Sequence, residues 1–156
     1  MQFTALLLLL LLPSLAAAVS AKDVEGHWVV DAEATWAMLH ENAQMKAQFA
    51  AMPPEQQAMI RSLVLGKMAQ ASWSLSEGKA EIVEPDGTVR TSAWTVTRTK
   101  GETLTVEAVD EKGTTRTGTL SLSGDRLVAR GFSEAKGKGQ PETALVLRRG
   151  ERPATK

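Results

Sequence analysis

The fold of this chain is decided by residues 71–100, which read ASWSLSEGKAEIVEPDGTVRTSAWTVTRTK. Apolar residues alternate with serine from Ala71 to Ser76, which is the period of a strand with one buried face. Glu77-Gly78 and Pro85-Asp86-Gly87 interrupt the stretch, and glycine supplies the positive φ that tight hairpin turns require. The stretch therefore predicts three consecutive antiparallel strands.

The same pattern continues to the end of the chain, with further turns at Lys100-Gly101, Lys112-Gly113 and Ser123-Gly124-Asp125. The eight predicted strands span residues 24–30, 71–76, 79–84, 88–99, 102–109, 114–122, 126–132 and 142–149. Short turns make successive strands antiparallel neighbours, and eight such strands can close into a barrel without exposed edges. The predicted fold is mainly β, an eight-stranded antiparallel up-and-down barrel. Between Val89 and Trp94 the apolar residues change parity, which predicts a β-bulge near Ser92.

A different composition, rich in Ala, Met, Gln and Leu, characterises residues 32–68. It predicts two helices inserted between strands 1 and 2. Asp31 suits the N-cap of the first helix, and Pro53-Pro54 must interrupt it because proline lacks an N–H group. Pro54 suits the first turn of the second helix. The result is a helical hairpin with one apolar face.

The N-terminus carries an unbroken run of eight apolar residues, 5–12, which is too short to span a bilayer. Small residues follow it, so we predict a signal peptide over residues 1–18, with cleavage after Ala18 or after Ala21. The protein is then expected to be exported, periplasmic or secreted, with no transmembrane anchor in the mature chain. The domain would comprise residues 19–150, and residues 151–156 would form a disordered tail.

Composition excludes several classes of function. The chain has no cysteine, which excludes disulfides, thiolate metal sites and a cysteine nucleophile. Its 18 Lys and Arg residues balance 18 Asp and Glu residues, and a nucleic-acid partner requires a surplus of positive charge. Nucleophile-elbow and phosphate-loop motifs are missing as well. We therefore predict that the protein is not an enzyme and that it binds no cofactor, metal or nucleic acid.

The opening strand contains Gly26-His27-Trp28, and the last strand ends in Arg148-Arg149. In this combination the chain resembles lipocalin-like, calycin-type bacterial β-barrel domains, in which a Gly-x-Trp strand opens the barrel. The resemblance implies that Gly26, Trp28 and Arg149 form the structural base of the barrel, with the cation over the indole face. The helices after the first strand look more like those of fatty-acid-binding proteins. That family's Arg and Tyr carboxylate clamp has no clear match, since the chain has no tyrosine.

The two histidines are expected to have structural roles. His27 alternates with Trp28, so it should point outward or lie at the strand edge. His40 is expected to be a solvated residue of the first helix, because no second histidine stands at metal-ligand spacing.

Large apolar residues at inward-facing positions suggest a ligand cavity. The residues predicted to line it are Trp73, Trp94, Val106, Leu120 and Phe132 from the strands and Met59 from the second helix. An eight-stranded barrel lies at the boundary between a solid core and a hollow one. Small residues at inward positions, such as Ala71, Ala80 and Ala108, leave room for a cavity.

A hollow and a solid barrel interior predict two different functions. A hollow barrel predicts a protein that binds a small hydrophobic ligand inside the barrel, under the helical hairpin. A solid barrel predicts a protein–protein interaction or inhibitor module of the cell envelope that binds through its loops. The candidate for such a loop is the stretch 133–141, which contains Lys136 and Lys138.

Overall fold

A computed structural model describes residues 17–132 and 144–151. It contains a closed barrel of eight antiparallel strands in sequence order, with β8 pairing back onto β1. The strands are β1 (Gly26–Val30), β2 (Ser72–Ser76), β3 (Lys79–Val83), β4 (Val89–Lys100), β5 (Thr103–Asp110), β6 (Thr115–Ser123), β7 (Arg126–Arg130) and β8 (Ala144–Arg149). The helices are α1 (Ala21–Val24), α2 (Ala32–His40), α3 (Ala43–Ala50) and α4 (Pro54–Met68). The predicted fold class is confirmed, including the helices between the first two strands.

Three sequence predictions concern residues outside the described ranges. They are the signal peptide up to residue 16, the loop at 133–141 and the tail after residue 151.

The strands bury one face, as the alternation of their residues predicts. In β5, Leu104 and Val106 are buried while Glu107 is exposed. Each of the eight strands contributes buried residues to a single apolar core inside the barrel, whereas Ala144 and Val146 of β8 are buried outside this core. Burial of this core drives folding, at about 25 cal/mol for each Å² of apolar surface removed from water.

The predicted bulge near Ser92 is wrong. Ser92 pairs regularly with Ala80 on β3 and with Asp110 on β5, and the register shifts further along β4, between Val96 and Arg98. The prediction assumed that Val89 faces the core, but Val89 is 58% exposed. The side chains of β4 therefore alternate between its two faces without interruption at Ser92. The inward-facing positions are polar towards one end of the barrel.

The base of the barrel is closed by Trp28 and Arg149. Trp28 is fully buried, and its indole N–H donates to the backbone oxygen of Val24 at 2.8 Å. The guanidinium carbon of Arg149 lies 4.3 Å from the centre of a Trp28 ring. Gly26 has a φ of 128°, and a Cβ at this position would lie 2.7 Å from a guanidinium nitrogen of Arg149. The backbone conformation therefore favours glycine here, and the missing side chain leaves room for the Arg149 guanidinium.

The segment before β1 packs beneath this base. The side chain of Val19 is buried, and its N–H donates to the backbone oxygen of Gly101 at 3.1 Å. Asp23 accepts hydrogen bonds from both the backbone N–H and the hydroxyl of Ser20, each at 2.7 Å. The Ser20 hydroxyl lowers the pKa of Asp23, and its backbone N–H lowers it further. These contacts make residues 19–24 part of the folded domain.

Helix α2 packs against the outside of β8 through a buried threonine. The Thr35 hydroxyl accepts the N–H of Val146 at 2.9 Å and donates to the oxygen of the same residue at 3.3 Å. Asp31 caps the helix, as predicted, by accepting the N–H of Ala34 at 3.0 Å. Thr35 thereby supplies hydrogen bonds to β8 beyond the point where β1 ends.

The first predicted helix is divided into α2 and α3. Asn42 caps α3 by accepting the N–H groups of Gln44 and Met45, since its short amide competes well for backbone donors at a helix start.

His40 is not the solvated residue that the sequence suggested. Its ring lies 4.1 Å from that of Trp36 and 4.8 Å from that of Phe49, measured between centres. Its Nδ1 donates to the backbone oxygen of Trp36 at 3.0 Å. The break between α2 and α3 folds the two helices against each other, and this brings the three rings together.

Candidate functional site

A cavity of about 260 Å³ lies at the end of the barrel opposite Trp28. Its walls come from the strand ends at that side, and Met68 contributes from the end of α4. The lining residues are Val30, Met68, Ala71, Trp73, Ile82, Val83, Glu84, Pro85, Arg90, Ser92, Asp110, Arg116, Ala129, Phe132 and Leu145. Ligand sites in proteins have this character, mostly apolar with a few polar groups that fix orientation. The volume suits a small molecule.

The apolar wall is built around two aromatic residues. The rings of Trp73 and Phe132 meet edge to face, with their centres 5.7 Å apart. The Phe132 ring stands over Gly118, where an added Cβ would lie 2.7 Å from the ring and 2.5 Å from the backbone oxygen of Arg130. Glycine at 118 therefore gives Phe132 its position beside the cavity.

The entrance to the cavity is polar. Arg90 lies on the same face of β4 as Ser92 and Trp94, so alternation along the strand directs it into the mouth of the barrel. The Nε atom of Arg90 lies 2.8 Å from a carboxylate oxygen of Glu84, which directly follows β3. The Arg90 side chain is 55% exposed, which places this ion pair at the solvent-facing edge of the cavity.

A second pair of charged residues stands on the next two strands. Asp110 ends β5 and accepts the N–H groups of Thr114 at 2.8 Å and Lys112 at 2.9 Å. The hydrogen bond from Thr114 is the main cause that lowers the pKa of Asp110, and the N–H of Lys112 and the positive charge of Arg116 act in the same direction. Asp110 is therefore a carboxylate held ionised at the rim, with Arg116 close by.

The six residues that the sequence assigned to the cavity occupy three environments. Trp73 and Phe132 line it. Trp94, Val106 and Leu120 are buried in the core without lining it. They fill the half of the barrel nearer the base, where the indole N–H of Trp94 donates to the backbone oxygen of Ser76 at 2.8 Å. Among the described residues, buried side chains fill the barrel near its base, and the cavity lies towards the opposite end.

Met59 does not line the cavity, so its sequence-based placement is corrected. Met59 is 65% exposed on α4, and Leu63, one turn later, is 59% exposed. The apolar spacing of the helix did not distinguish a face directed at the barrel from one directed at solvent. The helical residue that does reach the cavity is Met68, at the end of α4 where the chain enters β2.

None of the predicted cavity residues belongs to the charged rim, because the prediction rested on apolar residues at inward positions. A usable signal was nevertheless present, because Arg90 shares strand parity with Trp94, and Asp110 shares it with Val106. Charged residues at inward parity near strand ends indicate the mouth of a barrel.

His27 lies on the outer surface of the barrel. Its Nδ1 atom is 2.9 Å from the hydroxyl oxygen of Ser74, its cross-strand neighbour. Within residues 17–132 and 144–151, no three His, Asp or Glu side chains stand together as a group that could hold a metal ion.

No protein-family model matches the chain, and no curated protein matches it. Among the described residues, the helices are all too short or too polar to cross a membrane.

Proposed function

We propose that this protein is an exported, lipocalin-like carrier that binds a small apolar molecule non-covalently in the hollow end of its barrel. The observation that carries the proposal is the cavity of about 260 Å³ in the barrel, which is lined by Trp73 and Phe132 and bordered by charged residues. The Gly26, Trp28 and Arg149 arrangement at the base supports the lipocalin-like character, because the same residue types carry the sequence resemblance.

Binding in this cavity would draw its free energy from burial of apolar surface. Each Å² of ligand surface removed from water contributes about 25 cal/mol. The aromatic wall is already in place, since Trp73 is 6% exposed, so little conformational freedom has to be lost when a ligand enters.

The proposal is tested by titrating the protein with the neutral apolar dye N-phenyl-1-naphthylamine, whose fluorescence rises in an apolar site. The informative variant is Ala129→Leu, because Ala129 is 3% exposed and lines the cavity. The larger side chain should fill the space and weaken dye binding by about tenfold or more, equivalent to about 1.4 kcal/mol. Far-ultraviolet circular dichroism verifies that the variant is folded.

The matched control is Ala93→Leu, which makes the same change on the exposed face of β4. It should bind the dye as the unmodified protein does. Absence of saturable binding to the unmodified protein, or equal binding by the folded Ala129→Leu variant, contradicts the proposal.

A further inference from the structure

Four charged residues form an arc of alternating sign around the mouth of the cavity. Glu84 follows β3, Arg90 lies near the start of β4, Asp110 ends β5 and Arg116 lies near the start of β6. All four line the cavity. We call this set the charged arc, and its formal charge is zero.

Each cation of the charged arc has an anion beside it. Arg90 and Glu84 are in contact at 2.8 Å, and Arg116 is near enough to Asp110 to favour its ionised form. A ligand carboxylate that approached either arginine would therefore also meet a carboxylate of the protein. Repulsion between like charges offsets much of the attraction at such distances.

We propose that the cavity selects an uncharged amphiphile whose polar end both donates and accepts hydrogen bonds, such as a primary amide or an alcohol. This inference rests on the proposed function, since it names the ligand class of the same cavity. The charges of the arc alternate in sign, so the arc has no net charge with which to neutralise an ion. This feature selects an uncharged head group.

The residues at the arc can both donate hydrogen bonds to such a head group and accept hydrogen bonds from it. Carboxylates only accept hydrogen bonds and guanidinium groups only donate them, whereas the Ser92 hydroxyl does both. An amide or alcohol that reaches the arc can therefore find a partner for each of its polar atoms. An ionised head group gives up part of its hydration at the arc without gaining an unopposed counter-charge.

The test compares three ligands of equal chain length by isothermal titration calorimetry at pH 7. Decanamide is neutral, decanoate is negative and decylamine is positive under these conditions. We expect decanamide to bind at least about tenfold more tightly than either ion, a difference of about 1.4 kcal/mol.

Two variants shift the charge of the arc in opposite directions. Glu84→Gln leaves an excess positive charge, so decanoate affinity should rise by about tenfold while decanamide affinity changes little. Arg90→Gln leaves an excess negative charge and should favour decylamine in the same way. The control is Glu81→Gln, which removes the same charge from a residue of β3 that does not line the cavity. It should leave all three affinities unchanged.

The outcomes separate the two proposals. If decanoate or decylamine binds as tightly as decanamide to the unmodified protein, the inference about the head group is overturned while the proposed function stands. If the dye and all three ligands fail to bind, both are overturned. Tighter binding of decanamide, with the opposite responses of the two variants, supports the inference.

Discussion

Arg149 stands over the ring of Trp28 and at the same time binds the segment beneath it. Its guanidinium carbon lies 4.3 Å from the centre of the indole ring, and its two terminal nitrogens donate to the backbone oxygens of Glu25 and Asp23. One side chain on the last strand therefore holds the first strand and the preceding turn of helix together.

Because the two side chains are in contact, their contributions to stability should be coupled. Trp28→Ala removes a fully buried indole and should lower the free energy of unfolding by about 3 to 5 kcal/mol. Arg149→Ala should lower it by about 1 to 2 kcal/mol through the lost cation–π contact and packing of its stem. A double-mutant cycle measured by denaturant melts should show non-additive losses.

The control for this cycle is Arg148→Ala, because Arg148 is an exposed arginine next to Arg149 on β8 and has the opposite strand parity. It should cost little by itself and add independently to Trp28→Ala. Additive losses for Trp28 and Arg149, or a Trp28→Ala variant as stable as the unmodified protein, would contradict the assignment of these residues to the barrel base.

Thr35 should contribute to stability through its hydroxyl group. Thr35→Val keeps the shape of the side chain but leaves the N–H of Val146 without its partner in a buried site. We expect a loss of about 1 to 3 kcal/mol in the free energy of unfolding, measured by urea denaturation. Thr35→Ser retains the hydroxyl and should lose less. A Thr35→Val variant that is less affected than Thr35→Ser would mean that the methyl group, and not the hydrogen bonds, matters.

The two predicted cleavage positions differ in whether they keep the segment below the barrel base. Cleavage after Ala21 would remove the buried Val19 and the Ser20 cap of α1, whereas cleavage after Ala18 retains both. If the protein is exported and processed as proposed, we expect the mass of the mature chain to correspond to a start at Val19. A recombinant chain starting at Lys22 should be less stable than one starting at Val19 by about 2 kcal/mol. Equal stability of the two chains would show that the segment contributes nothing to the domain.

Acid should destabilise the protein through three aspartates. Hydrogen bonds from Ser20, Thr88 and Thr114 are the main causes that lower the pKa values of Asp23, Asp86 and Asp110, respectively. The pKa of an aspartate carboxyl group in the unfolded chain is about 3.9. A group whose pKa is lower than this in the folded state stabilises the protein at pH values above the unfolded-state pKa. This contribution is lost as the pH falls through the folded-state pKa.

Denaturant melts at a series of pH values should therefore show the free energy of unfolding falling as the pH drops below about 4. Asp110→Asn should reduce this dependence on pH, because one of the groups that takes up a proton on acid unfolding is removed. A variant with the full acid dependence of the unmodified protein would contradict the role of Asp110.

The strands could be predicted closely because two signals agree along most of the barrel. Between Thr103 and Arg130, alternation and glycine turns place every boundary within two residues of the observed one. Both signals are local, and the closing of the barrel follows from the short turns that they mark.

The site was predicted less well because its position depends on contacts between distant parts of the chain. Met59 has helical apolar spacing, yet only the tertiary arrangement shows that this face of α4 is exposed. The predicted bulge rested on an inward-facing Val89, but Val89 is exposed and Arg90 occupies the inward position that marks the mouth. Whether Trp94 packs in a solid core or lines a cavity depends on the volumes of its neighbours on other strands.

The contrast between the solid and the hollow half of the barrel has a consequence for how this protein can change. Substitutions among the residues around the mouth do not touch the packing of Trp28, Leu104 and Leu127, which are completely buried. The rim can therefore accept new side chains, and with them new ligands, at little risk to folding. A library randomised at the four positions of the charged arc should consist largely of folded members, which makes this end of the barrel a suitable starting point for engineered recognition.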